Sequence, residues 1–205
     1  MNKIYKAHIN EKTNTVQTVK EHSENTARLC AESAVSPLKD VMYTMGLLHD
    51  IGKYQNSFQQ RIDGKKIRVE HSICGAIEAK KYYPDAVGLM MEYCIAGHHS
   101  GIPDGGVHND TPDMHTLCGR LNRTTEDYSA YQEELSLPPI DRQALISFFM
   151  QDCGRDPSLL IDKFAFLTRY CFSCLTDADS LDTAAFCGEH MSGKLKVDFQ
   201  RCLEK

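Results

Sequence analysis

Apolar residues recur at intervals of three and four positions along most of the chain, which is the pattern of helices with one buried face. In the first such stretch, His22, Thr26, Leu29 and Cys30 fall on a single face. Proline and glycine residues separate the periodic stretches and mark where helices begin or end. The pattern predicts an all-α fold with helices over residues 19–33, 38–50, 72–83, 85–96, 140–152 and 157 to about 183.

The segments between these helices are short or polar. Residues 3–8 and 15–19 predict a small N-terminal β-hairpin. Residues 54–69 have a mixed pattern with a turn at Asp63-Gly64. Residues at about 102–135 are predicted to form a variable loop, either a lid or a docking surface, because glycine and proline are frequent in its first part. We expect one domain over residues 1–205, with its helical core at about 15–185.

The composition is that of a soluble globular protein, with 41% hydrophobic and 25% charged residues in a chain of 205. No apolar run reaches the roughly 18 residues of a membrane span, and residues 1–15 lack the apolar core of a signal peptide. We therefore expect a cytoplasmic protein without a membrane partner. The net charge of −5 argues against a surface that coats nucleic acid broadly, but it allows a local basic channel.

The nine cysteines are scattered and odd in number, and several lie in apolar, helix-patterned surroundings. This distribution indicates free, buried thiols in a reducing compartment. Cys171 and Cys174 form a C-x-x-C motif, but there is no second such pair and no nearby histidine cluster. The motif therefore does not predict a zinc knuckle.

Residues of the type that ligate metals lie at the edges of the predicted helices. They are His22, His49, Asp50, His71, His98, His99 and Asp179. Imidazole and carboxylate groups together favour divalent transition metals over Mg²⁺. A carboxylate among several histidines can bridge two ions, and paired ions catalyse phosphoester hydrolysis. The pattern therefore predicts a two-metal hydrolytic centre between helices.

Other polar residues near these positions keep two interpretations each. Lys53 either neutralises charge on a phosphorane-like transition state or is a lysine favoured by the helix C-terminal dipole. A basic segment either contacts nucleic acid or is a solvated loop; its charged residues are Arg61, Lys65, Lys66 and Arg68. Four further histidines are interpreted as structural or surface residues: His8, His108, His115 and His190.

Four motifs, in this order, carry a resemblance to a known family. They are Leu-Leu-His-Asp-Ile-Gly-Lys-Tyr-Gln at 47–55, Glu-His-Ser at 70–72, Gly-His-His-Ser-Gly at 97–101 and Ser-Cys-Leu-Thr-Asp-Ala-Asp-Ser-Leu-Asp-Thr at 173–183. Together they resemble the HD metal-dependent phosphohydrolase superfamily. Within it they are similar to the CRISPR-associated HD nuclease domain, the nuclease part of the type I interference nuclease-helicase. The resemblance extends over about residues 15–185.

The resemblance implies a DNase that cleaves single-stranded DNA with two divalent ions (Mn, Co, Ni or Fe, with Mg as an alternative). Asp50 and Lys53 would be catalytic, and Asp50 would bridge the ions. One ion would be held by His22, His49, Asp50 and Asp179, and the other by Asp50, His71, His98 and His99. Asp177 is the alternative to Asp179. Residues expected near the DNA are Arg61, Lys65, Lys66, Arg68 and Ser100.

The resemblance also implies partners, namely a helicase domain or subunit and a CRISPR surveillance complex. The sequence has no G-x-x-x-x-G-K-[ST] phosphate loop, which predicts an excised or separately encoded nuclease domain.

Two other functions compete with the DNase. An HD phosphohydrolase acting on a nucleotide or cyclic nucleotide would use the same centre, and a closed pocket for one base and ribose would favour it. A binding module with structural or lost metals is the third interpretation. The tandem His98-His99 and the Asp177-Ala178-Asp179 motif favour the DNase, and the intact ligand positions speak against the binding module.

Overall fold

The computed structural model describes residues 3–151 and 156–188, and it confirms the predicted all-α class with an N-terminal hairpin. The strands are β1 (Lys6–Asn10) and β2 (Thr15–Thr18). The helices are α1 (Val19–Ser33), α2 (Lys39–Leu48), α3 (Asn56–Ile62), α4 (Ser72–Tyr82), α5 (Ala86–Gly97), α6 (Leu117–Leu121), α7 (Tyr131–Glu134), α8 (Arg142–Met150) and α9 (Pro157–Cys187). Two 3₁₀ turns, Ser36–Leu38 and Ile51–Tyr54, flank α2.

The hairpin leads directly into α1. Thr18 ends β2 and is also the N-cap of α1, where its hydroxyl accepts a hydrogen bond from the Glu21 amide and the Glu21 carboxylate accepts one from the Thr18 amide. The strand prediction was wrong in its bounds, because the first strand covers Lys6–Asn10 rather than residues 3–8. The turn tolerates this register because Asn14, a residue type that enters the left-handed region readily, has φ 55°.

The core lies between α1, α2, α4, α5 and α9. Its largest buried side chains include Met42, Met45, Leu48 and Ile95, and each contributes about 1.5–3 kcal/mol by leaving water. Helices α1 and α2 approach closely at Gly46, where an added Cβ would lie only 2.5 Å from the Ala27 Cα. This close approach sets the two helix segments that carry the first ligands side by side.

The structure corrects several predicted boundaries. Helix α2 ends at Leu48 rather than at residue 50, so the next two residues lie beyond the helix. Gly97 lies inside α5 instead of stopping it. The mixed stretch at 54–69 contains α3. The predicted helix over 140–152 spans Arg142–Met150, and its predicted end, residue 152, lies outside the described residues.

The segment at 102–135, predicted to be a variable loop, contains α6 and α7 and is packed onto the core. Leu117 and Tyr131 are buried, and the Tyr131 hydroxyl donates a 2.6 Å hydrogen bond to Glu78. The Tyr54 hydroxyl donates a 2.6 Å hydrogen bond to Glu134 at the end of α7. These contacts pack α6 and α7 onto the core, whereas most of residues 102–115 are exposed.

Two further sequence expectations concern membranes and thiols. None of the described helices combines the length and apolarity needed to cross a bilayer. The cysteines in the described part of the chain are free thiols, and none of them belongs to a candidate metal cluster there.

Candidate metal centre

The predicted ligand residues come from separate helices and converge on one point in the interior. His22 lies in the first turn of α1, His49 and Asp50 follow α2, His71 is the N-cap of α4, His98 and His99 follow α5, and Asp179 lies on α9. In the described part of the chain they form two candidate clusters that share Asp50. The histidines and Asp50 lie at or just beyond helix ends, as the sequence predicts, whereas Asp179 lies within α9, and the packing of the helices brings them together.

The first cluster is formed by His22, His49, Asp50 and Asp179. The Nε2 atom of His22 lies 3.2 Å from three atoms: Nε2 of His49, Oδ2 of Asp50 and Oδ1 of Asp179. Nε2 of His49 lies 3.4 Å from Asp50 Oδ2 and 3.7 Å from Asp179 Oδ1. Around a tetrahedral ion with bonds of about 2.1 Å, ligand atoms are about 3.4 Å apart, so these separations suit one ion.

The second cluster uses the other oxygen of Asp50. Oδ1 lies 3.3 Å from Nε2 of His71 and 3.5 Å from Nε2 of His98. Nε2 of His71 lies 2.8 Å from Nε2 of His99. His49 and Asp50 are fully buried, whereas His99 is exposed. The first cluster is therefore enclosed, and the second opens to the surface.

The histidines of the first cluster and His98 are oriented by hydrogen bonds from their other ring nitrogen. His49 Nδ1 donates to the Gly46 carbonyl at 2.7 Å, and His98 Nδ1 donates to the Ile95 carbonyl at 2.7 Å. Both acceptors are carbonyls of the last helical turn, which lack partners within the helix. Such contacts fix the tautomer and leave Nε2 free for a metal ion.

His22 receives the equivalent support from a carboxylate. Its Nδ1 lies 2.7 Å from Oδ2 of Asp182, which is largely buried. Asp182 is three residues after Asp179 on α9, so both carboxylates face His22 from one side of the helix. The sequence analysis did not assign a role to Asp182, although this spacing was a usable signal.

The unsatisfied polar atoms of the centre fit bound cations. Neither oxygen of Asp50 accepts a hydrogen bond of normal geometry from the described residues, and Nε2 of His98 likewise has no such partner. Buried polar atoms are rarely left this way unless an ion or water binds them. Because imidazole and carboxylate ligands suit transition metals, the residues present fit one or two such ions.

Buried charges give the first cluster strongly shifted pKa values. Burial disfavours the charged form of His22, but hydrogen bonds to Asp179, Asp182 and Asp50 outweigh it and raise its pKa to about 9. Burial is likewise outweighed at His49, where Asp50 and Asp179 raise the pKa to about 10. Burial opposes ionisation of Asp50, yet Lys53, His49 and His71 hold its pKa well below its usual range.

The pKa values of His98 and His99, in the second cluster, shift in the opposite direction. Burial lowers the pKa of His98, despite the nearby Asp50 carboxylate. Burial and the neighbouring His98 lower the pKa of His99 to about 4. These two imidazoles are therefore neutral at physiological pH and ready to bind a metal ion, whereas the His22–His49 pair holds a proton that a cation must displace.

We expect ion binding at the first cluster to release protons. The pKa values of His22 and His49 are raised to about 9 and about 10, so the pair, whose Nε2 atoms lie 3.2 Å apart, holds at least one extra proton at neutral pH, and a ligand must be neutral. The apparent affinity should therefore rise with pH up to about 9, by about tenfold per pH unit for each proton displaced. Titration calorimetry with Mn²⁺ in buffers of different ionisation enthalpy measures the protons released. An affinity independent of pH would contradict the expectation.

Lys53 and His8 lie against the centre. Nζ of Lys53 is 2.7 Å from Asp50 Oδ2 and 3.1 Å from Nε2 of His8 on β1. The His8 ring contacts the His22 ring edge-on at 4.6 Å, and burial, Lys53 and His22 lower the pKa of His8 to about 4. The interpretation of His8 as a structural or surface residue did not include these contacts with Lys53 and His22. The sequence feature that could have indicated them is the predicted hairpin, which ends where α1 and its ligand His22 begin.

Three open cavities of about 850, 430 and 380 Å³ adjoin the centre. His99 lines all three, His71 lines the first two, and Lys53 and His8 line the second and third. Because they share these lining residues, the three cavities adjoin one another around the exposed side of the second cluster, and together they are called the groove.

The residues expected near DNA are only partly placed along this groove. Ser100 and Arg68 line the largest cavity, and Arg61 lines the second, with its guanidinium 5.9 Å from the Phe58 ring. Lys65 and Lys66, which follow α3, are exposed and line none of the three cavities.

The largest cavity also contains arginines that the sequence analysis did not single out. Arg120 and Arg123 both form ion pairs with Glu70, which directly precedes His71. Arg120 also donates to the hydroxyl of Ser72 at 3.1 Å. These contacts fix the chain on both sides of His71 and add positive charge to the cavity wall.

The remaining assignments concern Asp177 and the other histidines. Asp177 is exposed and belongs to neither candidate cluster, whereas Asp179 faces His22. His108 is exposed. His115 lines the largest cavity without belonging to either cluster. His190 lies outside the described residues.

Comparison with known families gives one match, the HD domain, over residues 19–137. The matched segment is more than half of the chain and contains every ligand residue of the two clusters except Asp179. Comparison with curated proteins finds no match. The hairpin and α9, which supply His8 and Asp179, lie outside the matched segment.

Proposed function

The chain belongs to the HD domain family, which indicates a metal-dependent phosphohydrolase, and we propose that it is a DNase that hydrolyses single-stranded DNA. In this proposal, the cleavage of single-stranded DNA serves CRISPR type I antiviral interference. Two observations support the finer assignment: the order of the four motifs from residue 47 to residue 183, and the open groove at the centre.

The observation that carries the proposal is the placement of Asp50. Its Oδ2 faces the first cluster and its Oδ1 faces the second, so one carboxylate is shared between two sets of ligands. Shared carboxylates are the usual means of holding two ions at the short distance that phosphodiester hydrolysis uses. When bound, the ions would supply Lewis-acid activation of water and of the phosphate.

The protein residues around this position have distinct roles. Asp50 fixes the spacing of the two clusters, and the Nδ1 hydrogen bonds of His49 and His98 keep Nε2 directed at the centre. Lys53 reaches the centre and lines two of the cavities, so its ammonium group can neutralise charge that develops on the phosphate oxygens. His99, on the exposed side, borders the place where the scissile phosphate enters.

The groove favours a strand over a single nucleotide. His99 lines all three of its parts, and each part is open. Positive groups lie along it at Arg68, Arg61 and Lys53, although the chain as a whole has a net charge of −5. A local basic path on an acidic protein suits a substrate delivered by a partner, and we assign that delivery to a helicase and a CRISPR surveillance complex.

One observation favours the alternative, a nucleotide or cyclic-nucleotide phosphohydrolase. The second cavity, of about 430 Å³, is large enough for a small ligand and contains the Phe58 ring beside His71. An aromatic ring next to a metal centre can stack on one base. The two functions share the centre, so substrate tests must decide between them.

The proposal is tested with metal-stripped protein, circular single-stranded DNA and, separately, a panel of nucleotides and cyclic nucleotides. Mn²⁺, Co²⁺, Ni²⁺ and Mg²⁺ are added back one at a time, with Asp50→Ala as the control. Metal-dependent opening of the circle that the variant lacks supports the DNase. Nucleotide hydrolysis with intact DNA would replace it with the alternative function.

We expect Lys53→Ala to keep its bound ions and to lose rate. Lys53 is not in either cluster, but its ammonium group lies beside Asp50 and faces the groove. Loss of a charge that stabilises the transition state should lower kcat by about 10²–10³-fold with little effect on KM. Steady-state kinetics on DNA and metal analysis of the purified variant measure both. Unchanged turnover would leave Lys53 with a structural role only.

A further inference from the structure

We infer that His8 is a positioning residue that holds the Lys53 side chain in its working position. The inference rests on the proposed function, because it assigns a role within the same hydrolytic site. It concerns the N-terminal hairpin, which lies outside the segment matched to the family. The hairpin therefore supplies a part of the site that the family match does not contain.

A continuous set of polar contacts passes through His8, and it starts and ends at the metal centre. Lys53 Nζ lies 3.1 Å from His8 Nε2, and His8 Nδ1 lies 2.9 Å from Gln17 Oε1. Gln17 Nε2 donates to Asp182 Oδ2 at 2.7 Å, and Asp182 Oδ2 lies 2.7 Å from His22 Nδ1. The hairpin thus connects Lys53 with the carboxylate that orients the first ligand.

The hydrogen-bond roles in this set are fixed by chemistry. An ammonium group can only donate, so Nε2 of His8 accepts from Lys53. The proton of the neutral ring is then on Nδ1, where it donates to the amide oxygen of Gln17. Gln17 directs that oxygen toward His8 because its NH₂ group donates to Asp182. Every donor meets an acceptor, so the arrangement specifies one tautomer of His8.

The hairpin also fixes the position of His8. His8 and Gln17 are cross-strand partners, and the register shifts between Lys6 and His8. A shift of this kind bends a strand and redirects its side chains, and it is frequent next to active sites. The side chain of Gln59 accepts from the Lys6 amide at 2.9 Å and donates to the Lys53 carbonyl at 2.7 Å. The same glutamine therefore ties the strand to the backbone of Lys53.

The contact with His8 helps to order the Lys53 side chain. A lysine side chain is flexible, and ordering it costs rotamer entropy. Nζ of Lys53 lies 2.7 Å from Asp50 Oδ2, with which it forms an ion pair. The contact with His8 holds the amine on its second side, and Lys53 still lines the second and third cavities. A donor is thus left to face a phosphate in the groove.

The test compares His8→Gln with His8→Met. The two side chains have similar length, but only glutamine offers a strong acceptor to Lys53. We expect His8→Met to lower kcat for cleavage of circular single-stranded DNA with Mn²⁺ by about tenfold. KM and bound Mn²⁺ should not change, and His8→Gln should recover most of the rate. Val16→Ala, on the exposed part of the same hairpin, is the matched control.

Two further measurements separate positioning from other roles. In a Lys53→Ala background, His8→Met should cause no additional loss, because its effect acts through Lys53. Acetylation of Lys53, followed by mass spectrometry, should be faster in His8→Met than in wild type and slow again in His8→Gln. The labelling needs no activity, so it tests the contact even if the wild type cleaves neither DNA nor nucleotides, a result that would refute the proposed function alone. Equal kcat in the Gln and Met variants, a further loss in the double variant, or equal labelling would overturn the inference.

Discussion

Asp50→Ala should lose both ions and nearly all hydrolytic activity while keeping its helices. Asp50 provides one oxygen to each cluster, so a single substitution removes a ligand from both. The expected loss in kcat is about 10³-fold or more, because the metal-dependent part of the catalysis disappears. Helix α2 ends at Leu48 and is held by apolar packing, so far-ultraviolet circular dichroism should change little.

Two companion variants make this result specific. Asp50→Asn keeps the size of the side chain and removes its charge, which tests whether the carboxylate itself is needed. Asp40→Ala removes an exposed carboxylate from the first turn of α2, the helix that precedes Asp50, and should keep both ions and activity. Metal content by mass spectrometry and cleavage of circular DNA are the measurements. Full activity or full metal content in Asp50→Ala would refute the shared-carboxylate arrangement.

Asp179→Ala should impair the first cluster selectively, whereas Asp177→Ala should not. Asp179 Oδ1 lies 3.2 Å from Nε2 of His22, and Asp177 is exposed on another side of α9. Loss of a ligand should weaken the ion at this cluster by at least about 100-fold and leave the ligands of the second cluster in place. Both variants remove one negative charge from the same helix, so any difference between them reflects direct ligation.

Calorimetric titration of the metal-stripped variants with Mn²⁺ distinguishes the two sites by their number and affinity. We expect the proton-releasing event to be lost in Asp179→Ala and kept in Asp177→Ala. The reverse result would assign the last ligand to Asp177, the alternative that the sequence left open. Loss of both events in Asp179→Ala would mean that the two clusters do not bind ions independently.

Much of the centre was predictable from the sequence because its ligands stand at the ends of periodic helical stretches. His49 and Asp50 close one such stretch, and His98 and His99 follow another. Apolar periodicity depends on local spacing alone, and so does the placement of a residue at a helix end. The all-α class therefore agrees with the structure, and the two ligand sets that the family resemblance implied coincide with the two candidate clusters.

Residues that act through contacts distant in sequence were harder to predict. His8 and Lys53 are far apart in the chain, and only the docking of the hairpin makes them neighbours. Asp182 supports His22 across an even larger separation of 160 positions. The structure does not place Lys65 and Lys66 along the groove, because the order of charged residues in a sequence does not determine which of them line a cavity.

By itself, the sequence determined which side chains are available for metal binding and which helices carry them, since both depend on residue type and local period. The tertiary structure alone decided which oxygen of Asp50 faces which cluster, that the first cluster is enclosed while the second opens to a groove, and that a hairpin reaches Lys53. Those features depend on how helices pack, as at Gly46 against Ala27, where the absence of a side chain sets the distance between backbones.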